Sequence, residues 1–213
     1  MVNSKSKLVN QILGATAAIG VAFLMQYCQI AEHNQFNSSK RGHNAPLVMR
    51  DGDPYIRALM RTISASESNV ANPYSVIYGG NYVNELDRHP DICVRIPVGP
   101  NRGLCSTAAG RYQFITTTWE DMAGRYHPNP NRFLFWQSYS FEPQYQDAVV
   151  YAWLNDPDAW GADISQLLRQ GKLNEVLWLL SGTWTSLGYG IETNSMSGYL
   201  PDIYEEILQE ELR

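Results

Sequence analysis

From Asp53 to Ser68 the apolar positions follow a helical period, with Ile56, Leu59, Met60 and Ile63 recurring at i, i+3, i+4 and i+7. Asp53 followed by Pro54 is a start signal: an oxygen acceptor for orphan amides, then a ring whose missing donor costs nothing at that position. Four residues beyond Ile63 the stripe reaches Glu67. At roughly 100° per residue its side chain points where the apolar ones point. A carboxyl held there is partly desolvated, and it lies at the C-terminal end of the helix, where the dipole disfavours negative charge. Both influences favour the protonated acid, which a general acid working near neutral pH requires. The alternative is a fraying last turn with Glu67 turned into solvent.

The pattern changes after Glu67. Asn72-Pro73 reads as a turn, and Tyr74 to Val83 as short β-branched and aromatic pieces broken by Gly79-Gly80. Asp91 to Ile96 alternates, with Ile92, Val94 and Ile96 on one face, which predicts a small antiparallel lobe. Beyond Gly110 the helical period returns. Thr117 with Glu120 predicts a capping box ahead of Trp119, Met122 and Ala123, and Pro143 opens a helix from Gln144 to Leu154. Asp163 caps Ile164 to Gln170, which Gly171 stops; Leu173 to Leu180 is a dense apolar helix carrying Trp178; Gly198 to Leu212 closes the chain. One helix, a small sheet and then several helices is an α+β layout.

The N-terminus has a different texture. Lys5 and Lys7 precede an uncharged apolar run from Ile12 to Met25, the mark of an export signal. Extended from Leu8 to Cys28, the run approaches the roughly 20 residues of a membrane span. No Ala-x-Ala-like cleavage site follows, and Tyr27 is too large for the position before a lipoprotein cysteine. Residues 1–28 are therefore expected to be an uncleaved anchor with the lysines inside and the body facing the periplasm or exterior, with secretion after cleavage as the alternative. Residues 29–52 read as a polar linker and residues 53–213 as the folded domain. In an exported domain, Cys93 and Cys105, which bracket the Pro97 to Gly103 loop, are expected to pair, free buried thiols being the other reading.

Composition narrows the chemistry. A net charge of -5 without a basic run in the body argues against nucleic acid as a partner. Four scattered His, no His-Glu-x-x-His and no cysteine pair at zinc spacing argue against a metal, and no cofactor motif is present. Gly-x-Ser-x-Gly and Gly-x-x-x-x-Gly-Lys are also absent. Six Trp and 13 Tyr suit either a filled core or a sugar-binding groove. A carboxylate on an apolar face, many aromatics and the segment Gly110-Arg111-Tyr112-Gln113 together suit a polysaccharide substrate.

Ala109-Gly110-Arg111-Tyr112-Gln113-Phe114, then Thr118-Trp119, then Phe141-Glu142-Pro143-Gln144-Tyr145-Gln146-Asp147-Ala148, resembles the phage lambda endolysin family of muramidases. Ser66-Glu67-Ser68, Gly79-Gly80, His89-Pro90 and Trp184-Thr185-Ser186-Leu187-Gly188-Tyr189-Gly190 extend the resemblance, in order, across nearly all of residues 53–213. The Glu67-Ser68 pair is also similar to the wider lytic transglycosylases. The resemblance implies a lysozyme-like α+β fold, with a cleft between a helical and a β lobe. It further implies cleavage of the β-1,4 bond between N-acetylmuramic acid and N-acetylglucosamine in peptidoglycan by a lytic transglycosylase mechanism, in which one glutamate protonates the leaving oxygen and then deprotonates the muramic C6 hydroxyl to close a 1,6-anhydro ring. Glu67 occupies the position of that glutamate. Three features depart from the family: Ser68 where a glycine is common, the two cysteines of the hairpin region, and the N-terminal anchor.

A single carboxylate suffices physically when the nucleophile is tethered. Hydrolysing glycosidases use two carboxyl groups, about 5–5.5 Å apart for retention or about 6.5–9.5 Å for inversion, whereas a hydroxyl within the substrate has a high effective concentration. Glu85 and Asp87 are the nearby candidates for a second carboxylate and read as solvated loop acids. Gln113, Tyr112, Tyr78, Trp184, Tyr189 and Ser68 are the candidate substrate contacts, with core packing or backbone satisfaction as their alternative; Arg111 and Asp147 are expected to make structural polar contacts. A true hydrolase and a non-catalytic peptidoglycan-binding module are the competing functions, and a monomer is expected.

Overall fold

Helix α1, Pro54–Glu67, is the central element of a computed structural model that describes residues 45–133, 136–190 and 195–213. Its start is the expected one: Asp53 Oδ1 accepts the Tyr55 N–H at 2.9 Å and Pro54 occupies the first turn. Ile56, Leu59, Met60 and Ile63 are all fully buried. Burial extends beyond that stripe, since Ala58, Thr62, Ser64 and Ala65 are also shielded from solvent. The cause lies at the other end of the chain, where helix α7, Leu200–Glu211, packs more extensively on α1 than any other helix does. Its last turn supplies carboxylates to the cations of α1: Arg57 meets Glu211 at 2.6 Å, and Arg61 meets Glu210 at 2.7 Å and Glu211 at 2.8 Å.

Between these two helices the chain forms two small antiparallel hairpins, five further α-helices and two single-turn 3-10 helices among the described residues. Strands β1, Val94–Arg95, and β2, Cys105–Ser106, pair with Val94 opposite Ser106 and Arg95 opposite Cys105. Ile96 and Val94 keep the expected alternation, but Ile92 is exposed, so the predicted strand contracts to two residues in its C-terminal half. The Cys93–Cys105 disulfide closes the base of this hairpin. Helix α2 runs Thr116–Tyr126, and the predicted Thr117–Glu120 capping box does not form. The amide of Thr116 instead donates to Thr107 Oγ1 at 3.1 Å, so a residue nine positions back on the incoming segment satisfies the helix start.

Strands β3, Asn131–Phe133, and β4, Trp136–Ser138, form the second hairpin, which the sequence pattern did not announce. Helices α3, Pro143–Leu154, α5, Ile164–Arg169, and α6, Leu173–Leu180, follow the predicted spans closely, with the short α4, Pro157–Trp160, added between α3 and α5. Asp163 Oδ1 caps α5 by accepting the Gln166 N–H at 2.9 Å.

The folded part begins earlier than the expected boundary at Asp53. Leu47 is buried, and the amides of Val48 and Met49 donate to Asp147 Oδ2 at 2.9 and 3.2 Å. The end of the predicted linker is thus held against α3. The expected anchor, residues 1–28, and the linker up to residue 44 lie outside the described residues. No helix among the described residues is long and apolar enough to cross a membrane.

Candidate active site

Glu67 is the last residue of α1 and is half-buried, on the border of a cleft of about 840 Å³. Four other segments complete that cleft: Tyr78; the β1–β2 hairpin and its loop, including Val98 and Leu104; the turn around Gln113 with the start of α2; and the loop Thr183 to Ser186. Among the described residues, Glu67 is the one charged side chain lining it. Glu85 and Asp87 are exposed and do not line it. The Ser186 hydroxyl donates to Glu67 Oε1. Ser66, one residue before Glu67, is in hydrogen-bond contact with Ser186 Oγ.

The turn beneath this carboxylate explains the Gly-Arg-Tyr-Gln block. Gly110 has φ +72°, and a Cβ there would come within 2.7 Å of Phe141 Cζ, so both the backbone angle and the close approach call for glycine. The Arg111 amide donates to Gln146 Oε1 at 2.9 Å, and the Tyr112 hydroxyl donates to Asp147 Oδ1 at 2.7 Å. The Gly-Arg-Tyr-Gln and Gln-Asp-Ala segments are therefore two halves of one buried joint. Asp147 also accepts the Tyr74 hydroxyl at 2.8 Å, and the Arg111 guanidinium donates to that hydroxyl at 3.1 Å and to the Pro46 carbonyl at 2.9 Å. Arg111 and Asp147 thus make the structural contacts expected of them. Burial, reinforced by the Asp147 carboxylate, pushes the Tyr112 phenol well above its ordinary pKa and keeps it a donor. Tyr74 is raised for the same first reason, its burial outweighing the opposing Arg111 charge.

Gln113 closes the turn with φ +48°, a left-handed conformation that costs a non-glycine residue on the order of 1 kcal/mol or more and gathers at functional sites. Its backbone is held by Gln113 N–H to the Gly110 carbonyl at 3.1 Å and by the flanking Ala109–Phe114 bridge. Its side-chain amide donates to the Gly110 carbonyl at 2.9 Å, the backbone-satisfying role weighed against ligand contact. The residue nevertheless lines the cleft, as does half-buried Tyr78.

The other expected contacts are divided between the back of the cleft wall and positions outside it. Tyr112 and Trp184 border the cleft but are only 0% and 2% exposed. The Trp184 indole N–H donates to the Tyr112 carbonyl at 3.0 Å, and its ring packs 5.4 Å from that of Trp153. These two aromatics back the wall instead of presenting a face to a sugar. Ser68 is buried away from the cleft, its hydroxyl donating to the Arg111 carbonyl at 2.6 Å, and so ties α1 to the turn. Tyr189 is 51% exposed and is not among the lining residues. Ser186, Ser66, Val98 and Leu104 line the cleft without having been singled out. For Ser186 only its place in the Trp-Thr-Ser-Leu block hinted at a role, since its partner Glu67 is 119 residues away in sequence.

The sequence model of the Endolysin family matches residues 57–207. No curated protein matches the chain. A solved structure of bacteriophage lambda lysozyme complexed with a chitohexasaccharide superimposes with a TM-score of 0.53 at 24% identity, covering 75% of this chain and 97% of that one. A second structure of lysozyme from bacteriophage lambda gives 0.51 at 21% identity, covering 76% of this chain and 97% of that one. Likeness at that identity shows a shared fold.

Proposed function

The chain belongs to the endolysin family and has a lysozyme-like fold, and from that membership and the geometry of the cleft we propose that it is a peptidoglycan lytic transglycosylase acting through Glu67. The observation that carries the reading is a cleft with one carboxylate, half-buried at the end of a fixed helix, and no second acid lining it among the described residues. The chitohexasaccharide held by one of the solved relatives supports a glycan strand as the occupant.

In this mechanism Glu67 gives its proton to the oxygen that links muramic C1 to the 4-position of the next N-acetylglucosamine, and that bond breaks as positive charge develops at C1. The muramic C6 hydroxyl then attacks C1 and surrenders its proton to Glu67, which closes the 1,6-anhydro ring and restores the acid. The proton balance is complete without water. Two-carboxylate hydrolysis needs a base or nucleophile on the far side of the sugar, about 5–9.5 Å from the acid, and Glu85 and Asp87 do not line the cleft. We further propose that the protein works as a monomer outside the cytoplasmic membrane, tethered by residues 1–28 or released after their removal; the Cys93–Cys105 bond supports an oxidising setting.

Mass spectrometry of digested sacculi tests the chemistry. Anhydro-muramic ends are expected; reducing ends would replace this reading by hydrolysis, and no released fragments by a binding module. Glu67→Gln keeps the shape and removes the proton, so release should fall about 100- to 10,000-fold with the melting temperature unchanged. Residual lysis above a few per cent of wild type, roughly thirtyfold or less below it, would remove Glu67 from the central role.

A further inference from the structure

We propose that Ser186 is the positioning residue of the catalytic carboxyl, with Ser66 acting behind it, and that the pair serves Glu67 in both of its protonation states; the inference rests on the transglycosylase reading above. Ser186 is buried, and its hydroxyl touches the Glu67 and Ser66 side chains. A hydroxyl gives its proton once. With the Ser186 proton on Glu67 Oε1, Ser66 meets the lone pairs of Ser186 Oγ and can donate to them, forming a row of donors that ends on the carboxylate. When Glu67 is protonated on Oε2, Oε1 is the carbonyl oxygen of the acid and still accepts from Ser186, so the row keeps its direction in both states. No hydroxyl has to rotate and the heavy atoms stay in place between the two states.

That property matters for a cycle in which one carboxyl must be first acid and then base. Fixing Oε1 in the wall assigns proton exchange with the glycan to Oε2 and holds the carboxyl plane through both steps. The loop carrying Ser186 does not depend on its hydroxyl, because the Ser186 carbonyl accepts from Ser197 Oγ at 2.7 Å. The side-chain hydroxyl is therefore separable from the loop it sits on.

The test uses the full chain, with steady-state cleavage of soluble peptidoglycan glycan fragments by wild type, Ser186→Ala, Ser66→Ala, the double variant and Glu67→Gln. Ser186→Ala should lower kcat about 10- to 100-fold, the range of a lost hydrogen bond to a charged group, with KM within about twofold and the melting temperature unchanged. Ser66→Ala should cost about threefold, and the double variant should be no worse than Ser186→Ala, because Ser66 acts through Ser186. Wild-type kcat in Ser186→Ala beside an inactive Glu67→Gln would overturn this role and leave the functional reading standing, and an additive double variant would overturn the coupling. A wild-type protein that releases no fragments would overturn the functional reading and this role with it. Should Ser186→Ala fail to fold, Ser66→Ala decides: an unchanged kcat there overturns the pairing.

Discussion

Glu67 and Val98 line the same cleft from parts of the molecule built in contrasting ways. Glu67 ends a helix buried on nearly every side, and each neighbouring residue that fixes it is itself fixed: Ser68 to the Arg111 carbonyl, Ser66 to the Ser186 loop. Val98 and Leu104 belong to a two-residue-per-strand hairpin, are 73% and 61% exposed, and are held at a distance by one disulfide at the base. In the proposed reaction proton transfer tolerates little misplacement, which suits an acid carried by a helix in the core. Contact with a long polymer needs surface, and an exposed hairpin supplies it cheaply in buried volume. The contrast predicts that damage to the first region is global and damage to the second is local.

The largest effect should come from Glu211→Ala. Its carboxylate, 7% exposed, serves both Arg57 and Arg61 on α1. Removing one partner of a buried ion pair costs about 3–5 kcal/mol, because the cations stay where they were desolvated. The lower end is expected here, since Glu210 still reaches Arg61 at 2.7 Å. Denaturant unfolding reads the change, and a loss under about 1 kcal/mol would mean that α1 does not depend on α7 for its burial.

Next comes the disulfide. Cys93→Ser with Cys105→Ser releases a twelve-residue separation, which the loop-entropy argument values at about 2–3 kcal/mol. Both cysteines are exposed and the hairpin lies outside the main core, so the weakening should concentrate there. Hydrogen exchange should quicken at the Ile96 and Gly103 amides, which bond to Leu104 O at 2.9 Å and Ile96 O at 2.8 Å, while the amides of α1 stay protected. Equal acceleration in α1 would show that the two regions unfold as one unit.

The same contrast explains what could be read from the residues. The α1 stripe, the Asp53-Pro54 start and the endpoint at Glu67 were legible because a 3.6-residue period and a local cap are properties of neighbours in sequence. Helices α3, α5 and α6 were legible for the same reason. The joint between Gly110–Gln113 and Gln146-Asp147 showed only as two family blocks, and their bonding appears once the chain is folded. Ser186 could not be assigned to Glu67 locally, nor Thr107 to the start of α2, because each partner arrives from elsewhere in the chain. The direction of Tyr112, Trp184 and Ser68 was equally hidden. An aromatic ring or a hydroxyl suits a wall's back as well as its face, and here the polar joint and the Trp153 cluster claimed them. The docking of residues 45–49 was missed because backbone amides, not side chains, make its bonds to Asp147.

The smallest effect separates the two regions most cleanly. Val98→Ser and Leu104→Ser remove apolar atoms that the free protein already leaves in water, so stability should stay within about 0.5 kcal/mol of wild type. A glycan strand in the cleft changes that balance, since N-acetyl and lactyl methyl groups laid on these side chains would take their surface out of water. About 40 Å² of apolar surface covered per residue is worth about 1 kcal/mol. Each substitution should therefore raise KM about fivefold and leave kcat alone, the signature of binding energy expressed equally in ground and transition states. Ser186→Ala is expected to do the reverse, lowering kcat at constant KM, so the two substitutions divide the cleft into a part that binds and a part that reacts. A melting temperature lowered by several degrees, corresponding to roughly 1 kcal/mol, would show instead that the tip supports the fold. An unmoved KM would show that the strand passes the acid without lying against the hairpin, and the exposed pair would then have no share in substrate recognition.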